Sequence, residues 1–346
     1  MFVSGVSMIT VQASVRRYKA VPHFAGVFGG FASPAALVLV LFIAACGIAP
    51  AQNRFSIQGG ASAAQQTTPD EWKAVEQAMG KAGALQPGGV FKFSLPRADL
   101  GVTVGGVQVK PALALGAWVA FKKLGDAAVV MGDLVLTEDE VTPVLAKLQE
   151  AGIEQTALHN HVLQESPRVM YMHIEGHGDA AKLAQGIRAA LALTKTPFSP
   201  PSGGAQPLDL GFDTKQLDQI MGYGGKANGG VYQFSVPRAE KITDASMGGV
   251  EVPPAMGVAT AINFQPTGEG RAAITGDFVL LANEVNPVIR ALRAGGVSVT
   301  ALHSHMLDES PRLFFMHFWA NDDAVKLART LRNALDKTNS AKGRAK

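Results

Sequence analysis

The segment Thr156-Ala-Leu-His-Asn-His161 returns 144 residues later as Thr300-Ala-Leu-His-Ser-His305. Upstream, Gly132-Asp-Leu-Val-Leu136 returns as Gly276-Asp-Phe-Val-Leu280 at the same offset. Because this offset stays constant from Gly132 through the last predicted helix, the chain carries one folding unit twice. The duplication therefore decides the fold, and each motif has to be interpreted as one of a pair.

Each copy shows the same order of patterns. The first copy predicts a helix over 70–83, strands over 88–95, 102–109, 112–122 and 127–136, a helix from Thr137, two strands around Glu165-Ser-Pro167, and a last helix after Asp179. Helices and antiparallel strands mix without regular βαβ alternation, which predicts an α+β fold. We expect two tandem homologous repeats, each an antiparallel sheet with helices, packed with pseudo-two-fold symmetry.

Composition divides the chain into six segments. A Pro/Gly/Ser-rich stretch between the copies is typical of a linker, and an Ala/Gln/Gly/Ser-rich stretch before the first copy is typical of a flexible tether. The predicted boundaries are a signal peptide over 1–45, a tether over 46–69, repeat domain 1 over 70–195, a linker over 196–212, repeat domain 2 over 213–338 and a basic tail over 339–346.

The N-terminus has the layout of an export signal. Three basic residues within 16–19 precede the uncharged apolar run 35–45, which is short for a membrane span. Cys46, the only cysteine, follows Ile43-Ala-Ala45 as in a bacterial lipobox, so its acylation would attach the protein to a membrane surface. Cleavage after Ala51 would instead release a soluble periplasmic or secreted protein, and an uncleaved anchor is a third alternative. We expect an exported protein of the cell envelope.

The net charge and the cysteine count exclude several classes of function. The formal charge of +3 arises in the N-terminal segment, since residues 46–346 carry 28 basic and 28 acidic residues. A neutral, unclustered surface gives no electrostatic reason to expect nucleic acid as a partner. A single cysteine excludes a disulfide scaffold and a thiolate zinc site within one chain. The expected partners are therefore a membrane surface and a metal or small ligand.

Six of the eight histidines occupy equivalent positions in the two copies. They lie in the motif His-x-His-x3-Glu-Ser-Pro-Arg-x4-His and are His159, His161, His173, His303, His305 and His317. A slip of one residue would turn a strand's apolar set to the wrong face, so the apolar pattern predicts the register. Gln164 opposite Arg168 places His159 opposite His173, with the imidazoles on one face. The core face then holds Leu158, Val162, Met170, Met172 and Ile174, and in the second copy Leu302, Met306, Phe314, Met316 and Phe318.

Three imidazoles about 5 Å apart can share a divalent metal, zinc or another transition metal, so each repeat is predicted to carry one site. Glu165 and Glu309 are candidates for a further ligand or for the catalytic base of a metal-dependent hydrolase. Arg168 and Arg312, in the same motif, are candidates for binding a ligand. A metal-free acid/base site and a structural polar cluster are the alternatives.

Two further pairs are interpreted as structural. Asp133 and Asp277 follow equivalent glycines, where a role in a turn or an edge strand is favoured over a place in the site. Arg97 and Arg238 end matching strands and are interpreted as surface ion pairs rather than as clamps for an anionic ligand.

The motif Thr-Ala-Leu-His-Asn-His-x3-Glu-Ser-Pro-Arg-x4-His, duplicated behind an export signal, resembles the LppY/LpqO family of bacterial lipoproteins, which is defined by a domain of unknown function. The resemblance covers about residues 70–338. It implies an exported protein and brings no activity, ligand or catalytic residue. We expect an envelope protein that binds a metal or small polar ligand rather than an enzyme. A metal-dependent hydrolase and a non-catalytic scaffold with structural histidines remain the alternatives.

Overall fold

The computed structural model describes residues 68–199 and 210–343. Within these residues the predicted α+β class is confirmed, with two similar tandem units that each contain an antiparallel sheet and helices. The predicted signal peptide, Cys46, most of the tether and parts of the linker and the basic tail lie outside the described residues. No helix among the described residues is long and apolar enough to cross a membrane.

The first repeat is built on a six-stranded sheet in the order β1-β2-β5-β6-β9-β7, and the strands β3, β4 and β8 form a small second sheet. All of these strand pairs are antiparallel. The strands are β1 (Ala84–Gln86), β2 (Val90–Pro96), β3 (Thr103–Val104), β4 (Val107–Gln108), β5 (Gly116–Leu124), β6 (Ala127–Thr137), β7 (Glu154–His159), β8 (Glu165–Ser166) and β9 (Val169–Gly178). The helices are α1 (Lys73–Met79), α2 (Pro111–Ala114), α3 (Glu138–Glu150) and α4 (Ala180–Leu191).

The second repeat has the same order of strands, and its main sheet runs β10-β11-β14-β15-β18-β16. Its strands are β10 (Lys226–Asn228), β11 (Val231–Pro237), β12 (Thr243–Asp244), β13 (Val250–Glu251), β14 (Ala259–Gly268), β15 (Arg271–Leu280), β16 (Ser298–His303), β17 (Glu309–Ser310) and β18 (Phe314–Asp323). Its helices are α5 (Thr214–Met221), α6 (Ala282–Ala294) and α7 (Ala324–Leu335).

Two predicted strands of the first repeat differ from the structure. The run 102–109 is broken into β3 and β4, because Gly105 and Gly106 take positive φ angles of 55° and 80° and form a tight turn. The predicted strand over 112–122 begins only at Gly116. Its first residues form α2, where Pro111 occupies the first helical position and its ring favours helical φ.

Alternate residues in the first part of β6 pack in two different cores. In β6, Val130 and Leu134 pack in the core that the first sheet shares with its own helices. The alternate residues Val129 and Met131 belong to another core that also contains Phe315 of the second repeat. Because side chains alternate along a strand, this contact sets one sheet face against the other repeat. Asp133 and His173 lie on the same side of the strands as Val129, and so they face the second repeat.

Arg97 and Arg238 are buried rather than exposed, which corrects the expectation of surface ion pairs. Nη1 of Arg97 donates hydrogen bonds to Glu140 and to the carbonyl oxygen of Val135, each with a donor–acceptor distance of 2.7 Å. Arg238 makes the equivalent bonds in the second repeat, with Glu284 as its carboxylate partner. Each arginine therefore ties the end of a strand to the N-terminal turn of the helix that follows the sheet's central hairpin.

Candidate metal centre

The six paired histidines meet in one place between the two sheets. The rings of His159 and His303 stack with their centroids 3.5 Å apart, although the two residues belong to different repeats. His161 stacks on His317 at 3.9 Å, and His173 stacks on His305 at 3.7 Å. We call the six residues (His159, His161, His173, His303, His305 and His317) the imidazole cluster.

The strand register brings the histidines of one repeat to a common face, but not in the predicted pairing. His159 lies opposite Tyr171, and Ala157 lies opposite His173 beyond a bulge in β7. The predicted pairing of His159 with His173 is therefore wrong by two residues. The cause is the connection between β7 and β9, which forms no tight hairpin loop because Glu165 and Ser166 pair with β3 as strand β8. A shift of two residues keeps the side chains of the paired strands on their predicted faces. Met306, which follows β16, instead packs in the core that contains Phe315 rather than with Met316.

The expected core face is confirmed only in part. Met172 and Met316 are fully buried, whereas Leu158 and Leu302 are 47% and 48% exposed. Both leucines lie on the outermost strands of their sheets, β7 and β16, where no further strand covers them. The alternation of apolar and polar residues assigned the leucines to the correct face. It did not show that the residues packed on that face leave these edge strands half exposed.

Several ring nitrogens have a defined protonation state. The Nδ1 atoms of His159 and His303 lie 3.1 Å from the backbone carbonyl oxygens of Asn160 and Ser304, and Nδ1 of His317 lies 2.7 Å from that of Gly276. A carbonyl oxygen only accepts hydrogen bonds, so these Nδ1 atoms carry the proton. In a neutral ring the other nitrogen, Nε2, then presents a lone pair, which is the form that binds a metal.

The Nε2 atoms of the whole imidazole cluster are shielded from solvent and have no hydrogen-bond partner. An Oδ1 atom of Asp133 and one of Asp277 are in the same condition. Buried polar atoms in folded proteins are nearly always paired, and each unpaired one costs about 1–3 kcal/mol. The cluster thus gathers eight unpaired atoms in one place, and its imidazoles and Asp277 form groups that could hold a metal ion.

Burial lowers the pKa of every histidine in the imidazole cluster, and neighbouring imidazoles lower most of them further. The pKa of His159 falls from 6.5 to about 3, and that of His317 falls to about 4. The nearby carboxylate of Asp277 opposes the shift at His303 and His317. The rings are therefore neutral at neutral pH, as metal ligands must be.

Asp133 and Asp277 belong to the site, contrary to the turn or edge role favoured from the sequence. Asp133 lies directly opposite His173 on the neighbouring strand, and Asp277 lies opposite His317. Oδ2 of Asp277 is 3.0 Å from Nε2 of His305, a contact that does not have hydrogen-bond geometry. Burial raises the pKa of both carboxyl groups, and the negative charge of Asp277 raises that of Asp133 further. The signal that would have found them is the fixed offset between each Gly-Asp pair and the strand histidine that it faces.

In the described part of the chain, three groups of histidine and aspartate residues have all their ligand atoms within 4.8 Å of one another. Two groups have four members and one has three. The triad expected for the second repeat is one of these groups, joined by Asp277. The triad expected for the first repeat is not among them. The groups are His159, His173, His303 and His305; Asp277, His303, His305 and His317; and His159, His161 and His317.

The glutamates and arginines of the motif have other partners. Glu309 is buried and accepts hydrogen bonds from Arg312 and from the backbone nitrogen of Leu313. The guanidinium of Arg168 is mostly exposed and lies 3.8 Å from Glu138 rather than beside Glu165. Neither Glu165 nor Glu309 belongs to the groups of ligand atoms found in the described residues.

Among solved structures, the chain has a low level of similarity to several proteins, one of them a bacterial microcompartment shell protein. The trimeric shell protein PduB matches with 14% identity and a TM-score of 0.17, over 72% of this chain and 88% of its own. EtuB from Clostridium kluyveri matches with 8% identity and a TM-score of 0.17, over 74% and 89%. EutL from Clostridium Perfringens matches with 10% identity and a TM-score of 0.15, over 61% and 78%. TM-scores this low carry no argument about this chain. No curated protein sequence matches it.

The sequence model of a Domain of Unknown Function (DUF1259) matches the chain twice, over residues 73–193 and 215–337. The two matches together cover more than half of the chain, and each contains one copy of the histidine motif. The finer resemblance to the LppY/LpqO lipoproteins stays a prediction, because the matched residues include neither the export signal nor Cys46. The chain therefore belongs to the family of this Domain of Unknown Function (DUF1259) and contains the domain twice in tandem.

Proposed function

We propose that the protein binds a transition metal at the imidazole cluster. The observation that carries the proposal is the set of six buried Nε2 atoms without hydrogen-bond partners. Neutral imidazole is a preferred ligand of zinc, copper, iron and nickel, whereas calcium and magnesium prefer oxygen. A donor set of six imidazoles and two carboxylates therefore favours zinc or a neighbouring transition metal.

The buried position of the cluster favours binding over hydrolysis. A hydrolytic metal needs an open coordination position that water and a substrate can reach. Here the Nε2 atoms are shielded from solvent, and the side chain of His161, which lies in a loop, is only 16% exposed. The carboxylate of Glu309 is already engaged by Arg312 and Leu313. A binding role is accordingly the function that the site supports best.

Metal analysis of the untagged protein tests the proposal. We expect zinc or another transition metal to copurify, or to be retained after loading and dialysis. The amount of metal per chain should fall in each of the double variants His159→Ala/His161→Ala and His303→Ala/His305→Ala. His177→Ala is the matched control, because His177 is an exposed histidine on β9 whose equivalent in the second repeat is Asn321. Absence of metal from the wild-type protein, or equal metal in all variants, would refute the proposal.

The proposed site of action is the cell envelope. The order of basic residues, apolar run, small residues and Cys46 supports export, with acylation of Cys46 as the attachment to the membrane surface. Mass spectrometry of the mature N-terminus distinguishes the two processed forms. A diacylated N-terminal Cys46 supports the lipoprotein, and an N-terminus at Gln52 supports the soluble exported form.

A further inference from the structure

The imidazole cluster has more unpaired ligand atoms than one metal ion can use. Six Nε2 atoms and two Oδ1 atoms are buried without partners. A four-coordinate ion satisfies at most four of them and leaves at least four buried and unpaired. Two four-coordinate ions have eight coordination positions, which equals the number of unpaired atoms. The donor count therefore points to two ions rather than one.

The geometry allows one complete division of the six histidines into two triads. His161 occurs in a single group of ligand atoms, together with His159 and His317. Once these three hold one ion, His173, His303 and His305 remain, and they all belong to another group. The division by repeat fails, because the triad of His159, His161 and His173 is not a group within the described residues.

The two triads correspond to each other through the duplication. An offset of 144 converts His159 and His161 into His303 and His305, and it converts His173 into His317. Each triad thus takes the His-x-His pair from one repeat and the strand histidine from the other. Two of the three closest stacked pairs fall within a triad, His161 on His317 and His305 on His173, and the third, His159 on His303, joins the two triads.

The aspartates lie between the two triads. Oδ2 of Asp133 is 3.7 Å from Nε2 of His161 in the first triad, and its Oδ1 is 3.9 Å from Nε2 of His173 in the second. Asp277 lies 3.0 Å from His305 in the second triad and shares a ligand group with His317 of the first. Each aspartate therefore lies within reach of both triads and can supply the fourth ligand of either ion.

We infer that the protein holds a pair of transition-metal ions, one in the triad His159, His161 and His317 and one in the triad His173, His303 and His305. Asp133 and Asp277 supply the remaining protein ligands. Each ion takes ligands from both repeats, so the pair of ions clamps the two domains together. This inference rests on the proposed metal function. It adds the number of ions and the assignment of ligands from both repeats to each ion.

Zinc content per chain tests the inference in whole, untagged protein. We expect two zinc ions per wild-type chain after loading and dialysis. The variant His161→Gln/His317→Gln alters one triad only and should retain one ion. The variant His161→Gln/His173→Gln removes the same number of histidines but alters both triads, and it should retain none. Far-UV circular dichroism of each variant verifies that it is folded.

The outcomes separate this inference from the proposed function. One zinc ion per wild-type chain overturns the pair of ions and leaves the proposed metal function intact. One ion in His161→Gln/His173→Gln and none in His161→Gln/His317→Gln would show that each triad comes from a single repeat, which overturns the proposed triads. No zinc in the wild-type protein overturns both proposals. Titration of the metal-stripped wild-type chain with Co²⁺, followed by its visible absorption, needs no variant. An end point at two equivalents supports the pair, and one at a single equivalent overturns it.

Discussion

Ser246 lies between two buried carboxyl groups that come from different repeats. Its Oγ is 2.7 Å from Glu175 of β9 and is also within hydrogen-bond distance of Asp244 of β12. A hydroxyl group has one proton to donate, so both contacts are hydrogen bonds only if one carboxyl group is protonated. Burial raises the pKa of Glu175, and the charge of Asp244 adds to the effect. Glu175 therefore binds a proton more tightly than an exposed glutamate does, and in its protonated form it can supply the proton of the second hydrogen bond.

The substitution Glu175→Gln should stabilise the protein above neutral pH. A carboxyl group with a raised pKa contributes stability that is lost as the pH rises through its folded pKa, and the amide removes that loss. It also retains a donor for Ser246. We expect a gain of about 1 kcal/mol at pH 8 and a smaller gain at pH 5, measured by urea unfolding. Glu154→Gln, which removes the same charge from an exposed position opposite Glu175, is the control. Destabilisation of Glu175→Gln at both pH values would contradict the assignment.

At the scale of the elements, the central hairpin of each sheet depends on the glycine that precedes the buried aspartate. A Cβ on Gly276 would lie 2.0 Å from the carbonyl oxygen of Ala261 on β14, which is backbone and has no freedom to move aside. The equivalent position, Gly132, is less restricted, since its Cβ would lie 2.9 Å from the carbonyl oxygen of Trp118. These close approaches set the position of the strand that carries Asp133 or Asp277.

The substitution Gly276→Ala should therefore cost more stability than Gly132→Ala. Forcing a methyl group into a filled space costs about 1–3 kcal/mol or more, and we expect Gly276→Ala at the upper end of that range. Thermal unfolding of each variant, measured after loading with zinc, gives the difference in melting temperature. Gly224→Ala is the control, because a Cβ there meets nothing within 4 Å. Equal melting temperatures for Gly276→Ala and Gly224→Ala would show that β14 moves away without cost.

The elements that the sequence predicted best are those with a long, regular pattern. The helix from Thr137 and the strand over 127–136 correspond to α3 and β6 within a few residues. The prediction of one strand over 102–109 was wrong because two glycines turn the chain inside an apolar pattern. The predicted start of the strand over 112–122 was wrong because Pro111 begins a helical turn. Local turn chemistry overrode the alternation in both places.

At the scale of the whole molecule, the imidazole cluster places six neutral rings in the contact between the repeats. Their pKa values in the folded protein lie below the ordinary value of 6.5. Unfolding exposes these rings to water, so below pH 6.5 the unfolded chain binds more protons than the folded one. Stability then falls as the pH falls. The raised pKa values of Asp133 and Asp277 act in the opposite direction, but they are two groups against six.

The metal-stripped protein should accordingly lose stability steeply below pH 6.5. Each imidazole contributes up to about 1.4 kcal/mol per pH unit in the window between 6.5 and its folded pKa, which for His317 is about 4. Urea midpoints between pH 4.5 and 7.5, in the presence of a chelator, measure the slope. The variant His161→Gln/His305→Gln should show a shallower slope, since it removes two of the six groups. A stability that stays constant between pH 5 and 6.5 would contradict the burial of neutral rings.

The sequence by itself determined the duplication, the α+β class and the common face of the histidines within each repeat. These properties follow from local patterns, because alternation along a strand sets which face a side chain occupies. Only the tertiary structure decided that the two histidine faces meet, that Asp133 and Asp277 join them, and that His161 lies beside His317 rather than His173. A period of two residues determines the face of a strand, but it contains no information about which surface covers that face. That choice depends on packing between residues more than 140 positions apart in the chain, so no local pattern records it.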